Sequence, residues 1–443
     1  MLKGQVKTSI IGGASITWMP TFINDLSNCG SMRGGEICLY DIDEENLEVI
    51  RQFAEKLLGE KGADIRLTIA ETLDQALTGA DFVVCTVLIG SHDVWKDEMN
   101  IIYKYGIEHP KGMSVGPGGL AMALKQIPWI VSLAKRMEEI CPDAWLLNLS
   151  NPMQAISLAV ERFSSIKYLG LCHGVTNTIS RMMQLIGEDE KEVNYTLGGV
   201  NHFEIITKIE KDGEDLLEKV AQAYEKIQRE KGHSGERITT EVYRLFDGYP
   251  CNEDIHVIEF LPHYIQKGRH LEMFELTHNF IENRIKGREA RWQELRDYIE
   301  GKKQRQEVVE EHSSEKLAEI IDAVCSNQPA YMYVNVTNRG YISNLPQSMC
   351  VEVPVVIHRN GYEGVCIGEM PKALAALSTV HGAVQDLTVD AAMNGDRHAA
   401  LQALSLDPMC YTLTLEERKN LLDELIANSA VYMHENFRKG EQE

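Results

Sequence analysis

The chain has 443 residues, 44% hydrophobic and 25% charged, enough for two or three ordinary domains with a full apolar core. Lys and Arg total 44 against 66 Asp and Glu, a formal net charge of −22. That balance argues against a nucleic acid or an acidic membrane as partner, since both want a basic face, but leaves room for an anionic substrate held by a local cation.

Residues 1–5 lead straight into a strand-like run, and no apolar stretch approaches the roughly 18–20 residues that span a bilayer. The ten cysteines are scattered without a framework spacing. The expectation is a cytoplasmic protein with reduced thiols.

In chain order, residues 6–11 read as a buried strand, broken by Gly12-Gly13-Ala14-Ser15 and followed by a helix over 17–26. A second strand over 36–40 ends at Asp41, and a helix follows over 44–58. Strands are expected at 65–69, 81–87, 145–148 and 168–172, with helices at 72–77, 120–140 and 153–163 and a kink or break at Pro128. This alternation is the pattern of an α/β, Rossmann-type doubly wound sheet. Past residue 178 it changes. Polar helices are expected at 215–229, 278–306 and 314–327 and strands at 332–337 and 350–357, before a helical C-terminus. The expected division is a dinucleotide-binding domain over 1–178 and a second, mixed α/β domain over 179–443.

Gly12, Gly13, Ala14 and Ser15 lie between a strand and a helix, where glycine lets the backbone approach a pyrophosphate and the helix offers free N–H groups. The spacing is not G-x-G-x-x-G, so a plain tight turn stands as the alternative. Asp41 favours the cofactor reading, because an acid ending the second strand can take adenosine ribose hydroxyls and disfavours an added phosphate. Asn148 and Asn151-Pro152 end a central strand, where ligands of open α/β sheets bind; an Asn-Pro turn is the alternative.

Cys172 and His202 also close strand-like segments near that crevice. A thiolate and an imidazole with open positions suit a first-row divalent ion held partly by substrate oxygens. Taken singly, either could be structural. Asp254, His256 and Glu259 form a third cluster, either a helix N-terminus capped by Asp254 or a source of a general base.

Taken together, these motifs resemble the NAD-dependent glycosidases of glycoside hydrolase family 4 over essentially the whole chain. The resemblance rests on Ile11–Ser15, Gly116-Pro117-Gly118-Gly119, Asn148 with Asn151-Pro152, Cys172-His173, and Gly199-Val200-Asn201-His202-Phe203. It continues through Asp254 and His256 ahead of Glu259-Phe260-Leu261-Pro262 to Val334–Asn338 and Asn344-Leu345-Pro346. It implies a first domain like that of lactate and malate dehydrogenases, and NAD and Mn²⁺ (or another first-row divalent metal) as cofactors. It also implies a homodimer or homotetramer. The implied mechanism departs from the two-carboxylate scheme. NAD⁺ takes a hydride from sugar carbon 3, a base removes the proton on carbon 2, the metal stabilises the enediolate, and the aglycone leaves. Water then adds and the hydride returns.

Carried onto this sequence, the resemblance implies Cys172 and His202 as metal ligands and Asp254 as base. His173 falls in the catalytic and sugar-contacting set, with Asn148, Asn201 and His256 also placed at the substrate. Members acting on 6-phospho sugars tend to carry Asn or Asp after the cysteine and Pro two positions later. Here His173 and Val175 stand instead, and with Gly174 this is most like the α-glucuronidase group, beside an α-galacturonidase group. A uronide needs a cation for its carboxylate, and Arg339 is the candidate, with a surface turn as the alternative. Many relatives carry an Asp-Thr pair before Gly-Pro-Gly-Gly and a Gln upstream; here Met113-Ser114 fills that stretch and His109 stands near the Gln position. The competing expectations are a neutral-sugar α-galactosidase or α-glucosidase, a net NAD-dependent dehydrogenase of a hydroxy acid or sugar, and a nucleotide-binding regulator without turnover.

Overall fold

The computed structural model describes residues 5–232, 236–265, 270–309 and 316–438. Six strands, Lys7–Ile11 (β1), Gly35–Tyr40 (β2), Ile65–Ile69 (β3), Phe82–Cys85 (β4), Trp145–Asn148 (β5) and Lys167–Gly170 (β6), run parallel in the order β3-β2-β1-β4-β5-β6. This is the doubly wound order the alternation predicts. β4 and β5 are buried at every position, because helices cover both faces of the sheet.

The helices of this half are Met19–Asn28 (α1), Glu44–Lys61 (α2), Leu73–Leu77 (α3), His92–Lys104 (α4), Gly116–Ile140 (α5), Met153–Phe163 (α6) and Gly174–Ile186 (α7). Local chemistry sets their ends. Asp43 caps α2 through the Asn46 N–H at 3.1 Å, and Gly62 closes it at φ 59°. α5 does not break at Pro128 but continues through it to Ile140. Its buried face outweighs the one backbone bond a proline removes. It also starts four residues earlier than periodicity indicates, with Pro117 in its first turn.

The remaining strands are Asn194–Val200 (β7), Phe203–Lys211 (β8), Glu214–Asp215 (β9), Tyr249–Cys251 (β10), Ala330–Thr337 (β11), Cys350–His358 (β12) and Gly361–Gly364 (β13). They extend the same sheet rather than forming a second one, in the order β6-β11-β12-β7-β8-β10, antiparallel from β11 onward. The β7–β8 hairpin is absent from the periodicity, since Gly198 and Gly199 interrupt its alternation. The expected boundary at 178/179 falls inside α7, one continuous amphipathic helix.

Helices of the second half are Leu217–Lys231 (α8), Arg237–Phe246 (α9), Asp254–Phe260 (α10), Phe280–Ile299 (α11), Leu317–Ser326 (α12), Lys372–Asn394 (α13), Arg397–Leu406 (α14) and Leu415–Ser429 (α15). α11 stops short of the expected residue 306, with Gly301 in the left-handed region just beyond it. α13 packs on α5 and α6, α12 on α1, and α15 on α4, so the second half folds back over the first. No helix among the described residues is long and apolar enough to cross a membrane.

Candidate active site

A cleft of about 360 Å³ opens beyond the carboxyl ends of β1, β2 and β4. Gly12, Ala14, Ser15, Asp41, Thr86 and Arg288 are among its lining residues. Gly12 is required there. It sits at φ 94°, and a Cβ would lie 2.4 Å from Thr86 Oγ1. Gly13 packs against β2, where a Cβ would come within 3.0 Å of Leu39 Cβ. The N–H groups of Gly12 and Gly13 both donate to the Tyr40 carbonyl, tying the turn to the end of β2. Asp41 Oδ2 accepts from the Ala14 N–H at 2.9 Å and Oδ1 from the Asp43 N–H at 3.0 Å. A carboxylate oxygen holding one N–H keeps a lone pair for a hydroxyl, so Asp41 suits a ribose at this place. Asn151 stands behind the cleft wall: Gln126 Nε2 donates to its carbonyl at 3.3 Å and to that of the lining residue Val87 at 3.0 Å.

The second part of the site gathers side chains from four segments. Cys172 and His173 leave the end of β6 and lead into α7, and the Gly174 N–H donates to Cys172 Sγ at 3.4 Å. The His173 ring lies 5.8 Å from that of Trp18, which caps α1 just past the Gly-rich turn, so this part adjoins the cleft. His202 sits in the β7–β8 turn at φ 68°. Its Nδ1 is 2.7 Å from Ser114 Oγ, and its ring lies 4.1 Å from that of His256 on α10, tilted 40° to it. Lys111 bonds to His256 Nε2 and lies 4.9 Å above the Phe280 ring.

Burial sets the electrostatics. Desolvation, with Lys111 and His173 adding positive charge, drives the His202 imidazole down to about 3. Burial with His202 and Lys111 nearby holds His256 well below the ordinary histidine range. Lys111 itself falls to about 8, chiefly by burial and further by Arg284, against the pull of Glu253, Glu259 and Cys172. Two imidazoles held neutral and a lysine with an eased grip on its proton are thus buried together, with the half-buried Cys172 close enough to Lys111 to act on its charge.

A loop packed without clearance presents Lys111 and Ser114. Glu259 Oε1 accepts from the Lys111 and Gly112 N–H groups at 2.9 and 2.7 Å and lies 2.8 Å from His109 Nδ1. The start of α5 presses on the loop's other side. A Cβ on Gly118 would fall 2.7 Å from Gly112 Cα, and one on Gly119 2.6 Å from the Ser114 carbonyl carbon.

Among the described residues, no three His, Cys, Asp or Glu side chains form a group that could hold a metal alone. A soft thiol with one imidazole still fits a first-row ion that takes its other positions from a bound substrate. Ser114, engaged with Nδ1, orients the His202 ring, and Nε2 is the atom that would meet such an ion.

The family 4 glycosyl hydrolase profile matches residues 7–188, and that of the family 4 glycosyl hydrolase C-terminal domain matches residues 197–410. The chain belongs to glycosyl hydrolase family 4. An alpha-galacturonidase of Thermoanaerobacterium saccharolyticum is 30% identical over 459 residues, covering 97% of each chain. An alpha-galactosidase of Bacillus subtilis is 29% identical over 425 residues, covering 95% of this chain and 97% of its own. A 6-phospho-alpha-glucosidase from gut microorganisms, solved in complex with NAD and Mn²⁺, superposes with a TM-score of 0.84 at 21% identity. That match covers 97% of this chain and 99% of the other, and shows the shared fold.

Within this family 4 framework, several expected residues stand elsewhere or do something else. Arg339 does not reach the site. It is largely exposed beside Glu161, in a hollow lined by Trp145 and Lys167, which begin β5 and β6. Because β11 runs antiparallel to β6, residues following it emerge at the opposite edge of the sheet from Cys172. Asp254 is buried, and its two oxygens accept the N–H groups of Ile238 and Thr239 at 2.8 and 2.9 Å. It caps α9 rather than pointing at the histidines, and burial raises it to about 6. Asn148 is fully buried, with its amide closing the loop onto the Ser150 backbone. Asn201 is buried and bonds to Glu352 at 2.8 Å. Both amides shape the site from behind. Lys111, Ser114 and Trp18 escaped the sequence reading. A lysine in a His-Pro-Lys-Gly turn just ahead of Gly-Pro-Gly-Gly was the available signal for the first.

Proposed function

We propose that this protein hydrolyses α-linked glycosides, with uronides preferred, using NAD in the cleft and a divalent ion between Cys172 and His202. The observation that carries this reading is the junction of the two: the His173 ring lies 5.8 Å from that of Trp18, tilted 60° to it, so a dinucleotide on the Gly12–Ser15 turn would end beside the thiol and imidazole. Bound there, the two groups supply a hydride acceptor and a Lewis acid, the pair that reversible oxidation of a sugar hydroxyl requires.

The chain's own residues do the rest. Ser114 fixes the His202 ring. Lys111, bonded to His256 Nε2, takes a proton at Nζ and shares it with that imidazole. A lysine near 8 is suited to this work at neutral pH. Arg284, four residues past Phe280 on α11, is half-buried close to Lys111 and Arg288, with no hydrogen bond among the described residues. A guanidinium beside a sugar site is suited to a carboxylate, which supports the uronide preference over neutral sugars.

The test is release from p-nitrophenyl α-glucuronide, α-galacturonide, α-galactoside and α-glucoside with NAD⁺, Mn²⁺ and a thiol reductant, each omitted in turn. Cleavage of a uronide that requires all three is expected, and Arg284→Met should raise its KM while sparing neutral glycosides. Cleavage of neutral glycosides alone would retire the uronide preference. NADH accumulating without release would move the protein to a net dehydrogenase.

A further inference from the structure

One row of the sheet carries an unusual set of side chains. Register places Cys251 beside Glu204, Glu204 beside Gly199, Gly199 beside Glu352, Glu352 beside Asn335, and Asn335 beside Gly170. Glu204 and Glu352 therefore flank β7, and Gly199 between them has no side chain to keep them apart. Both are wholly buried. Two carboxyl groups removed from water are tolerated only when hydrogen bonds replace it. Three asparagines supply these bonds. Asn201 and Asn335 donate to Glu352 Oε2 at 2.8 and 3.0 Å, and Asn252 donates to Glu204 Oε2 at 3.0 Å.

The cluster reaches both halves of the thiol–imidazole pair. Glu204 Oε1 accepts the His202 N–H at 2.8 Å, at a residue whose φ of 68° is unfavourable without such a bond. Asn252 lies against Gly174, where a Cβ would be 3.0 Å from both amide atoms, and the Gly174 N–H donates to Cys172 Sγ. A chain of contacts thus runs from the His202 backbone through Glu204 and Asn252 to the Cys172 sulfur.

We propose that Glu204 and Glu352 are positioning residues for the metal site, holding the Cys172 and His202 turns at the separation a shared ion requires. This rests on the reading of Cys172 and His202 as metal donors. A buried acid pair is costly to the fold, and its contacts converge on the two donor turns rather than on the hydrophobic core.

The test is Mn²⁺ affinity by calorimetry on the intact protein, for wild type, Glu204→Gln, Glu204→Ala, Glu352→Gln, Asn252→Ala and Cys172→Ser. NAD⁺ affinity and the circular dichroism melt are followed in parallel. Glu204→Gln keeps one acceptor and Glu204→Ala none, so Mn²⁺ binding should weaken in that order, by about 10- to 100-fold, with NAD⁺ affinity unchanged. Asn252→Ala removes only the bridging amide and serves if the acid variants fail to fold. Folded Glu204 and Asn252 variants that bind Mn²⁺ like wild type, while Cys172→Ser does not, would overturn the positioning role alone. Wild type failing to bind Mn²⁺, or Cys172→Ser binding it equally well, would overturn the metal reading and this inference with it.

Discussion

Lys111 and Asp254 are both buried ionisable groups, yet they face different partners, and mutation separates their roles. Asp254→Asn keeps an acceptor for the start of α9 and should leave kcat within about tenfold of wild type, because removing a general base costs roughly 10²–10⁴. Lys111→Met should fall in that larger range on every glycoside. The pH dependence follows from the direction of the Lys111 shift. As the proposed base it would act in its neutral form, so kcat/KM should climb with pH up to about 8 and level off above it. Stability carries the same signature. In the unfolded chain lysine keeps its proton to about 10.4, so between about 8 and that value the unfolded state binds more protons and folding strengthens as pH rises. Below 8 the folded protein bears the full cost of a buried ammonium. Lys111→Met should therefore melt higher than wild type at pH 7, by about 3 kcal/mol, while losing turnover; an unchanged melt would show that the ammonium is solvated.

At the scale of elements, the contact between α5 and the loop ahead of it decides where Lys111 and Ser114 stand. Gly118→Ala would force a Cβ against the Gly112 backbone, 2.7 Å away, and neither chain has a side chain that can yield. The expected cost is about 1–3 kcal/mol by urea denaturation, with weaker metal binding as Ser114 shifts from His202. A variant as stable as wild type would mean that the loop is free to move. This contact also marks what the sequence could and could not reveal. The parallel half was legible, because β4 and β5 are continuous apolar runs and α2 is bounded by Asp43 and Gly62. The motifs around Cys172 and His202 singled them out, and the fold links their two turns through Glu204 and Asn252. The α5 start, Lys111 and the Arg339 misplacement were not legible. Gly118 and Gly119 are there because the Gly112–Ser114 backbone packs directly against them, not for a local turn, and periodicity carries no sign of that contact. Which edge of the sheet Arg339 joins depends on β11 running antiparallel, and no local pattern encodes that.

For the whole molecule, the end of the second half seals a buried ion pair of the first, shutting water away from it. Lys125 of α5 bonds both oxygens of Glu98 on α4, at 2.6 and 2.7 Å, and Ser429 at the end of α15 donates to the same carboxylate at 2.6 Å. Burial lowers the Lys125 ammonium, and Glu98 opposes that shift. Glu98→Gln would strand a buried cation and should cost about 3–5 kcal/mol in a denaturant melt. Glu98→Leu combined with Lys125→Met should recover most of the loss, because replacing both partners leaves no charge uncompensated. A double variant as weak as the single one would assign the loss to packing instead.

The uninterrupted sheet has a mechanical consequence. Backbone pairing runs from Tyr40 beside the cofactor turn, through Asn148 and Gly170, to Glu204 behind His202, with no gap between strands. Two lobes joined only by a linker could swing apart; strands that share backbone hydrogen bonds resist it, so the sheet holds the Gly12–Ser15 turn and the Cys172 and His202 turns in one frame. For the proposed reaction, in which a hydride leaves a sugar carbon and returns to it, a shared frame keeps the outward and return paths alike.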